Sequence, residues 1–304
     1  MASPEPSATK QPLPVTMLLC HNHVDMVLSL VPSFRQNLQD EHALWVFNDG
    51  SLTGEDLERI GSAFSPERVI PLEEAEDLVR PKLKSYPNLL RLREEHIMLR
   101  KLLDLPLVAG QPLALVDSDV TAVRPFTGLD RRGCGDEPIV MMQDLGEAYS
   151  MTYRHRHFGA GRVPLIDRAN AGFMYINFDV FDLGFFEHFV SEQDNISRSS
   201  WLIEQTAWAA LAARVGGYHF DPAYVDLPPR EPDRTPIATV MHFISRLRHV
   251  LDDPTYLETL FRTGAQQPPV QLPTRKAPCS GFASGLAKKS FRRAFIRGRY
   301  VQTT

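Results

Sequence analysis

Leu113-Ala114-Leu115-Val116-Asp117-Ser118-Asp119-Val120 decides the fold. It is an apolar run closing on two carboxylates, and a run of this length reads as a buried strand. In an open α/β sheet, ligands bind beyond the carboxyl ends of the strands. Asp117 and Asp119 are therefore expected at a rim where a site belongs. Side chains at i and i+2 of an extended chain point the same way, so the pair presents hard anionic oxygens together. That suits a hard divalent cation, Mn²⁺ or Mg²⁺. Taken alone, Asp-x-Asp is as readily a solvated strand end, and the rest of the chain has to decide.

On the N-terminal side, Val15 to Cys20 reads as a first strand and 24–38 has helical apolar spacing. Leu44-Trp45-Val46-Phe47 is a second strand, ending in the turn signal Asn48-Asp49-Gly50-Ser51. Thr53 reads as an N-cap, with Glu55 and Asp56 in the first turn of a helix running to about Phe64. Val69-Ile70 is a short third strand, which makes the opening β-α-β-α-β. Residues 72–104 are charged and helical. Their bases Arg91, Arg93, Arg100 and Lys101 read first as a solvated face. Arg100 and Lys101 are also near enough to Asp117 in sequence to reach a phosphate.

Beyond the aspartates, 144–169 is a long polar stretch of the kind that forms lids and binding loops. Its His155 and His157 read as solvated rather than as ligands. Asn170-Ala171-Gly172-Phe173-Met174-Tyr175-Ile176-Asn177 leads into another buried strand. Gly172 permits close backbone approach, and the Asn170 amide offers a donor and an acceptor to hydroxyls. An aromatic helix is expected over 179–190. Trp201 to Ala213 is a further helix, in which Trp201 and Trp208 share a face at i, i+7 and are expected in the core. Ile237 to Met241 is a late strand followed by His242. Residues 264–280 are rich in Pro, Gly and Gln and read as a linker.

The composition excludes several classes. Across 304 residues, 43% hydrophobic and 23% charged, no stretch matches the about 18 consecutive apolar residues of a spanning helix. The first residues lack the pattern of a secretory signal. Three cysteines, without metal-ligand spacing, fit a reducing cytoplasm. From Ala265 onward there are eight Lys or Arg and no acid. The preceding body holds 25 basic and 37 acidic residues, a balance of −12. A body so acidic is not expected to bind nucleic acid. Residues 281–300 form a basic helix candidate, read either as lying on an anionic membrane surface or as a solvated tail. The expected organisation is a disordered lead over 1–13, a catalytic domain over 14–262, a Pro-rich linker over 263–280 and a basic segment over 281–304. The expected place is the cytoplasm, peripheral at the inner face of the membrane if the tail binds there.

Four segments, taken in order, resemble the nucleotide-sugar glycosyltransferases of the A-type fold. They are Leu115-Val116-Asp117-Ser118-Asp119, then Asn170 to Asn177, then Glu204-Gln205 on a helix, then His242 after an apolar strand. The nearest pattern is the retaining family that includes glycogenin and the bacterial lipopolysaccharide galactosyltransferases. The departures are Glu204 where that family has Asp, Ser245 for Gly and Arg248 for Lys, with no Pro-Trp following. The Asp49-Gly50-Ser51 turn resembles the inverting family, whose Asp contacts the base.

The resemblance implies a mainly parallel nucleotide-binding sheet flanked by helices. It implies a metal-dependent transfer from a nucleotide-diphosphate sugar, UDP-sugar foremost, to a glycan, lipid-linked or other hydroxyl acceptor. Asp117, Asp119 and His242 would hold the cation. Asp49, Arg100, Lys101, Ser118 and Arg248 would contact the nucleotide. Asn170 and Gln205 would bond donor hydroxyls, and Glu204 would lie near the anomeric carbon or serve as base in an inverting reaction. Two alternatives stand beside this: a haloacid-dehalogenase-type phosphatase with Asp117 as nucleophile, and a non-catalytic sugar-nucleotide-binding domain.

Overall fold

The computed structural model describes residues 11–158, 163–233, 237–244 and 246–279. The described residues open with strand β1 (Leu13–Leu19), which starts one residue inside the expected lead, then helix α1 (Val24–Asn37) and β2 (His42–Asn48). Helix α2 (Gly54–Phe64) follows, and its start is set by a capping box. Thr53 accepts from the Asp56 N–H while the Asp56 carboxylate accepts from the Thr53 N–H. β3 (Arg68–Ile70) completes the expected β-α-β-α-β opening. The charged region after it is three helices, α3 (Leu72–Val79), α4 (Pro87–Glu95) and α5 (Ile97–Ala109). Pro87 opens α4, and the Glu187 carboxylate accepts from the N–H groups of Asn88 and Leu89 at that helix start. Gly110, with φ +60°, ends α5 in the left-handed conformation a side chain would resist.

β4 (Leu113–Val116), β5 (Val120–Ala122), β6 (Phe126–Thr127) and β7 (Ile139–Gln143) come next, then α6 (Tyr153–Phe158) and β8 (Ala169–Ile176). The last third contains α7 (Leu183–Ser191), α8 (Ile203–Val215), β9 (Tyr218–Phe220), β10 (Val225–Asp226), β11 (Val240–His242), α9 (Pro254–Ala265), β12 (Val270–Gln271) and β13 (Thr274–Lys276).

The main sheet has the order β13-β9-β7-β8-β4-β1-β2-β3. Its β3-β2-β1-β4 half is parallel, as expected. β8 reverses direction and runs antiparallel to both β4 and β7, so the sheet is mixed. That reversal brings the start of β8 beside the end of β4, and the Asp117 N–H donates to the Gly172 carbonyl at 2.8 Å. A small second sheet, β10-β11-β5, pairs His242 with Val120.

Alternation along β4 divides the core into two layers. Leu113 and Leu115 meet α3, α4, α5, α7 and α8 on one face. Ala114 and Val116 meet α1 and α2 on the other, where Phe34 packs edge-on against Phe173 at 6.3 Å. A smaller cluster sets Tyr256 and Leu260 of α9 under Met241 and Phe243, which anchors the chain leaving β11. No described helix is long and apolar enough to cross a membrane.

Two expectations change. Trp201 is 65% exposed, because α8 begins only at Ile203 and Trp201 sits in the 3-10 turn before it, outside the i, i+7 register; Trp208 is in the core. Residues 263–280, read as a linker, supply the end of α9, β12 on β6, and β13 on the edge of the main sheet. The basic segment 281–304 lies outside the described residues.

Arg93, read as part of a solvated face, is 1% exposed. It makes a two-pronged pair with Asp104, at 2.6 and 2.8 Å, and reaches Glu76 at 2.9 Å. Removing one partner of a buried ion pair strands the other charge. Arg93→Ala is expected to lower stability by about 3–5 kcal/mol. Urea denaturation measures this, and a loss under about 1 kcal/mol, the scale of an exposed pair, would contradict the pairing.

Candidate active site at the rim of the sheet

The site residues come from distant parts of the sequence and meet where β1, β2 and β4 end and β8 begins. Asp117 and Asp119 follow β4 directly. His242 reaches them because β11 lies beside β5, and the Phe243 N–H donates to the Asp119 carbonyl at 2.8 Å. The His242 ring rests on the backbone at Gly172. A Cβ there would lie 2.1–2.8 Å from three ring atoms.

Each aspartate has one oxygen occupied by a protein cation and one turned inward. Asp117 Oδ1 pairs with Lys101 Nζ at 2.6 Å, and its Oδ2 lies 3.7 Å from His242 Nε2. Asp119 Oδ2 accepts from Arg248 Nε and Nη2 at 3.0 and 2.7 Å. Its Oδ1 faces His242 Nε2 at 3.0 Å but makes no hydrogen bond among the described residues. The three residues offer ligand atoms within 4.8 Å of one another. Two carboxylate oxygens and an imidazole nitrogen, one of the oxygens buried without a donor, fit a divalent cation.

The electrostatics follow from burial against pairing. Burial opposes ionisation of Asp119, but His242 and then Arg248 hold its carboxyl well below the usual range. Burial opposes the Lys101 ammonium, but Asp117 and Glu204 hold it charged. Burial also works against a charged His242, which Asp119 raises above the ordinary value. Lys101, expected on a solvated face or at a phosphate, is thus a buried strut. It donates to the Ala171 carbonyl at 2.9 Å and lies 3.6 Å from Glu204 Oε1.

Glu204, expected near the anomeric carbon or as a base, is 2% exposed and sits beneath Lys101. Burial pushes its carboxyl up to about 7, against the pull of Lys101. An acid whose folded pKa is raised contributes stability that is complete below its unfolded pKa and is lost as pH rises through the folded one. Stability is therefore expected to fall between about pH 4.5 and 7 by roughly 3 kcal/mol from this group. Glu204→Gln should remove that slope, read by urea denaturation of both proteins at pH 5 and pH 8. Equal slopes would refute the assignment.

The remaining candidates surround this centre. Arg248 keeps 38% of its side chain exposed at the rim. Gln205 is half-buried, its Oε1 accepting from the Ala171 N–H at 3.4 Å and its Nε2 donating to the Ala148 carbonyl at 2.7 Å. Arg100 donates to the Asp49 carbonyl at 3.1 Å, while Asp49 Oδ1 accepts from the Ser51 N–H and hydroxyl at 2.8 and 2.6 Å. Asn170, expected at the sugar, is buried and bonded to Gly172, His242 and Asp144.

His23 belongs to the site and was not expected. Its Nδ1 is 3.1 Å from the Ser118 hydroxyl and its Nε2 is 3.3 Å from Arg248 Nη1. Guanidinium can only donate, so Nε2 accepts. Burial, and then Arg248, keep this imidazole below its ordinary pKa. The available signal was its place just past the end of the first strand, where a site is expected in such a sheet.

Compared by sequence, the chain matches no family model and no curated protein. Compared by structure, it is similar to the galactosyltransferase LgtC, solved in complex with donor and acceptor sugar analogues. The two are 13% identical over 84% of this chain and 98% of that one, with a TM-score of 0.51. It also aligns with mouse xyloside xylosyltransferase 1 in its apo form, at 10% identity over 78% of this chain and 99% of that one, TM-score 0.48. The chain has the A-type glycosyltransferase fold. That fold displaces the haloacid-dehalogenase alternative for Asp117.

Proposed function

We propose that the protein is a metal-dependent glycosyltransferase, moving a sugar from a nucleotide-diphosphate sugar, UDP-sugar foremost, to a hydroxyl acceptor. The supporting observation is the inward face of Asp117 Oδ2, Asp119 Oδ1 and His242 Nε2, left clear by Lys101 and Arg248. These three residues would hold Mn²⁺ or Mg²⁺. When bound, the cation supplies charge stabilisation for a departing diphosphate.

The protein's own groups do the rest. Arg248, exposed at the rim and fixed at one edge by Asp119, bonds phosphate oxygens. Asp49 and Arg100, adjacent at the end of β2, hold the nucleoside end, with Ser118 and His23 between them and the centre. Gln205, half-buried beside Ala171, meets donor hydroxyls with the amide N–H that Ala148 does not take. Glu204 braces Lys101, which in turn fixes Asp117. An inverting reaction would need a carboxylate base open to the acceptor, and Glu204 is buried. We therefore favour retention of configuration. The acceptor is a glycan or a lipid-linked glycan. Segment 281–300 would hold the protein peripherally on an anionic cytoplasmic membrane face in the lipid-linked case.

The test is a panel of UDP- and GDP-sugars with Mn²⁺, scored for nucleotide release with and without chelator. Chelator-sensitive release from one donor supports the proposal and names the donor. Donor binding without turnover on any acceptor would instead support a sugar-nucleotide-binding domain, and phosphate release from a simple phosphoester would overturn the proposal.

A further inference from the structure

The Asn170 side chain is bonded to the protein itself through both its oxygen and its nitrogen. It is 3% exposed. One atom of its amide accepts from the Gly172 N–H at 2.8 Å, and a backbone N–H needs an acceptor, so that atom is Oδ1. The same oxygen lies 3.1 Å from His242 Nδ1. An amide oxygen cannot donate, so the ring nitrogen facing it carries the proton. Asn170 Nδ2 is turned away, to Asp144 Oδ2 at 3.3 Å.

The strand is irregular here for a reason. The β7–β8 pairing shifts register between Met141 and Met142, opposite this segment. Such irregularities beside a site re-aim side chains. Here the shift accompanies the turn of the Asn170 amide onto Gly172 and the imidazole, while the missing Cβ of Gly172 leaves room for the ring.

We propose that Asn170 is a positioning residue that commits His242 to carrying its proton on Nδ1, so that Nε2 presents a lone pair to a divalent cation between Asp117 and Asp119. A hydrogen bond to the far nitrogen is how ligating histidines are generally held in tautomer and orientation. The inference rests on the metal reading above. It replaces the sugar-hydroxyl role that the resemblance implied for this residue.

The experiment is titration calorimetry of Mn²⁺ into the full chain with no nucleotide sugar present. Wild type is compared with Asn170→Leu, of similar size without an acceptor, and Asn170→Asp, which keeps the acceptor and loses the amide donors. Each variant is checked for a cooperative melt first. Asn170→Leu is expected to weaken Mn²⁺ binding 10–100-fold, and Asn170→Asp to stay within a few-fold of wild type. Wild-type binding with an unchanged Asn170→Leu overturns the inference and leaves the metal site standing. Equal weakening in both variants overturns it too, because the acceptor would then not be what matters. A wild type that binds no Mn²⁺ overturns the metal reading and this inference together.

Discussion

Asp119→Asn should remove Mn²⁺-dependent nucleotide release, lowering it on the order of 10³-fold, because a cation at a departing diphosphate is worth several kcal/mol. The amide keeps the shape of the carboxylate, so packing around β5 should survive. What goes is the charge. Asp119 is the point where Arg248 and His242 converge, with Oδ2 bonded to the guanidinium and Oδ1 facing the imidazole. Without it the cation loses a buried anionic ligand, and Arg248 loses the anchor that sets it at the rim. Acid should act in the same direction. Burial opposes the Asp119 charge, but His242 and Arg248 hold its folded pKa below the ordinary value. Its contribution to stability is therefore present above the unfolded value and lost as pH falls through the folded one. Mn²⁺ calorimetry and nucleotide release on the two proteins check the first claim, and turnover in the variant within tenfold of wild type would sink it.

Gly172→Ala is expected to be nearly as damaging, and for a steric reason alone. The φ of Gly172 is not in the left-handed region, so alanine is conformationally admissible there. Its methyl group, however, would sit 2.1 Å from His242 Cε1 and 2.4 Å from Nδ1. Those atoms are in a buried ring bonded to Asn170 and facing two carboxylates. Either the ring leaves the centre or β8 shifts away from β4. The expected outcome is a 10²–10³-fold loss of release, since misplacement of about 1 Å at a site can cost 10²-fold. Overpacking should add a stability loss of about 1–3 kcal/mol. Gly61→Ala in α2, where nothing lies within 4 Å, is the control and should leave release unchanged. Normal Mn²⁺ affinity in Gly172→Ala would show that the ring does not need this seat.

Much of this was readable from the residues. The apolar run 113–116, the two carboxylates after it and the capped start of α2 follow from periodicity and local chemistry, and each is where it was expected. Direction was not readable. Asn170 to Ile176 carries the same apolar pattern whether its strand runs with its neighbours or against them, yet the reversal of β8 is what sets Asn170 and Gly172 beside Asp117. Burial of charge was hidden as well. A lysine on a short helix looks solvated until its partners are known, and those of Lys101 lie 16 and 103 residues further along. His23 was passed over because a loop histidine has no pattern of its own. The strands at 270–276 are too short, and too mixed with proline, to stand out from a flexible tether.

Those last strands bear on which edge the main sheet offers to its surroundings. Every candidate ligand and nucleotide contact lies before residue 263, so a chain cut at the boundary its composition suggests would keep all its chemistry. It would also lose β13, the Thr274-Arg275-Lys276 strip that closes one margin of the eight-stranded sheet. A very short margin strand bearing cations is a poor template for another molecule's backbone. With it gone, Tyr218-His219-Phe220 would stand open along its hydrogen-bonding side, and the turn into β8 would lose the bond from Asp167 N–H to the Pro278 carbonyl. The stretch that reads as a spacer is therefore a selvedge: without it the chemistry would remain encoded while the sheet began to fray and to join others of its kind.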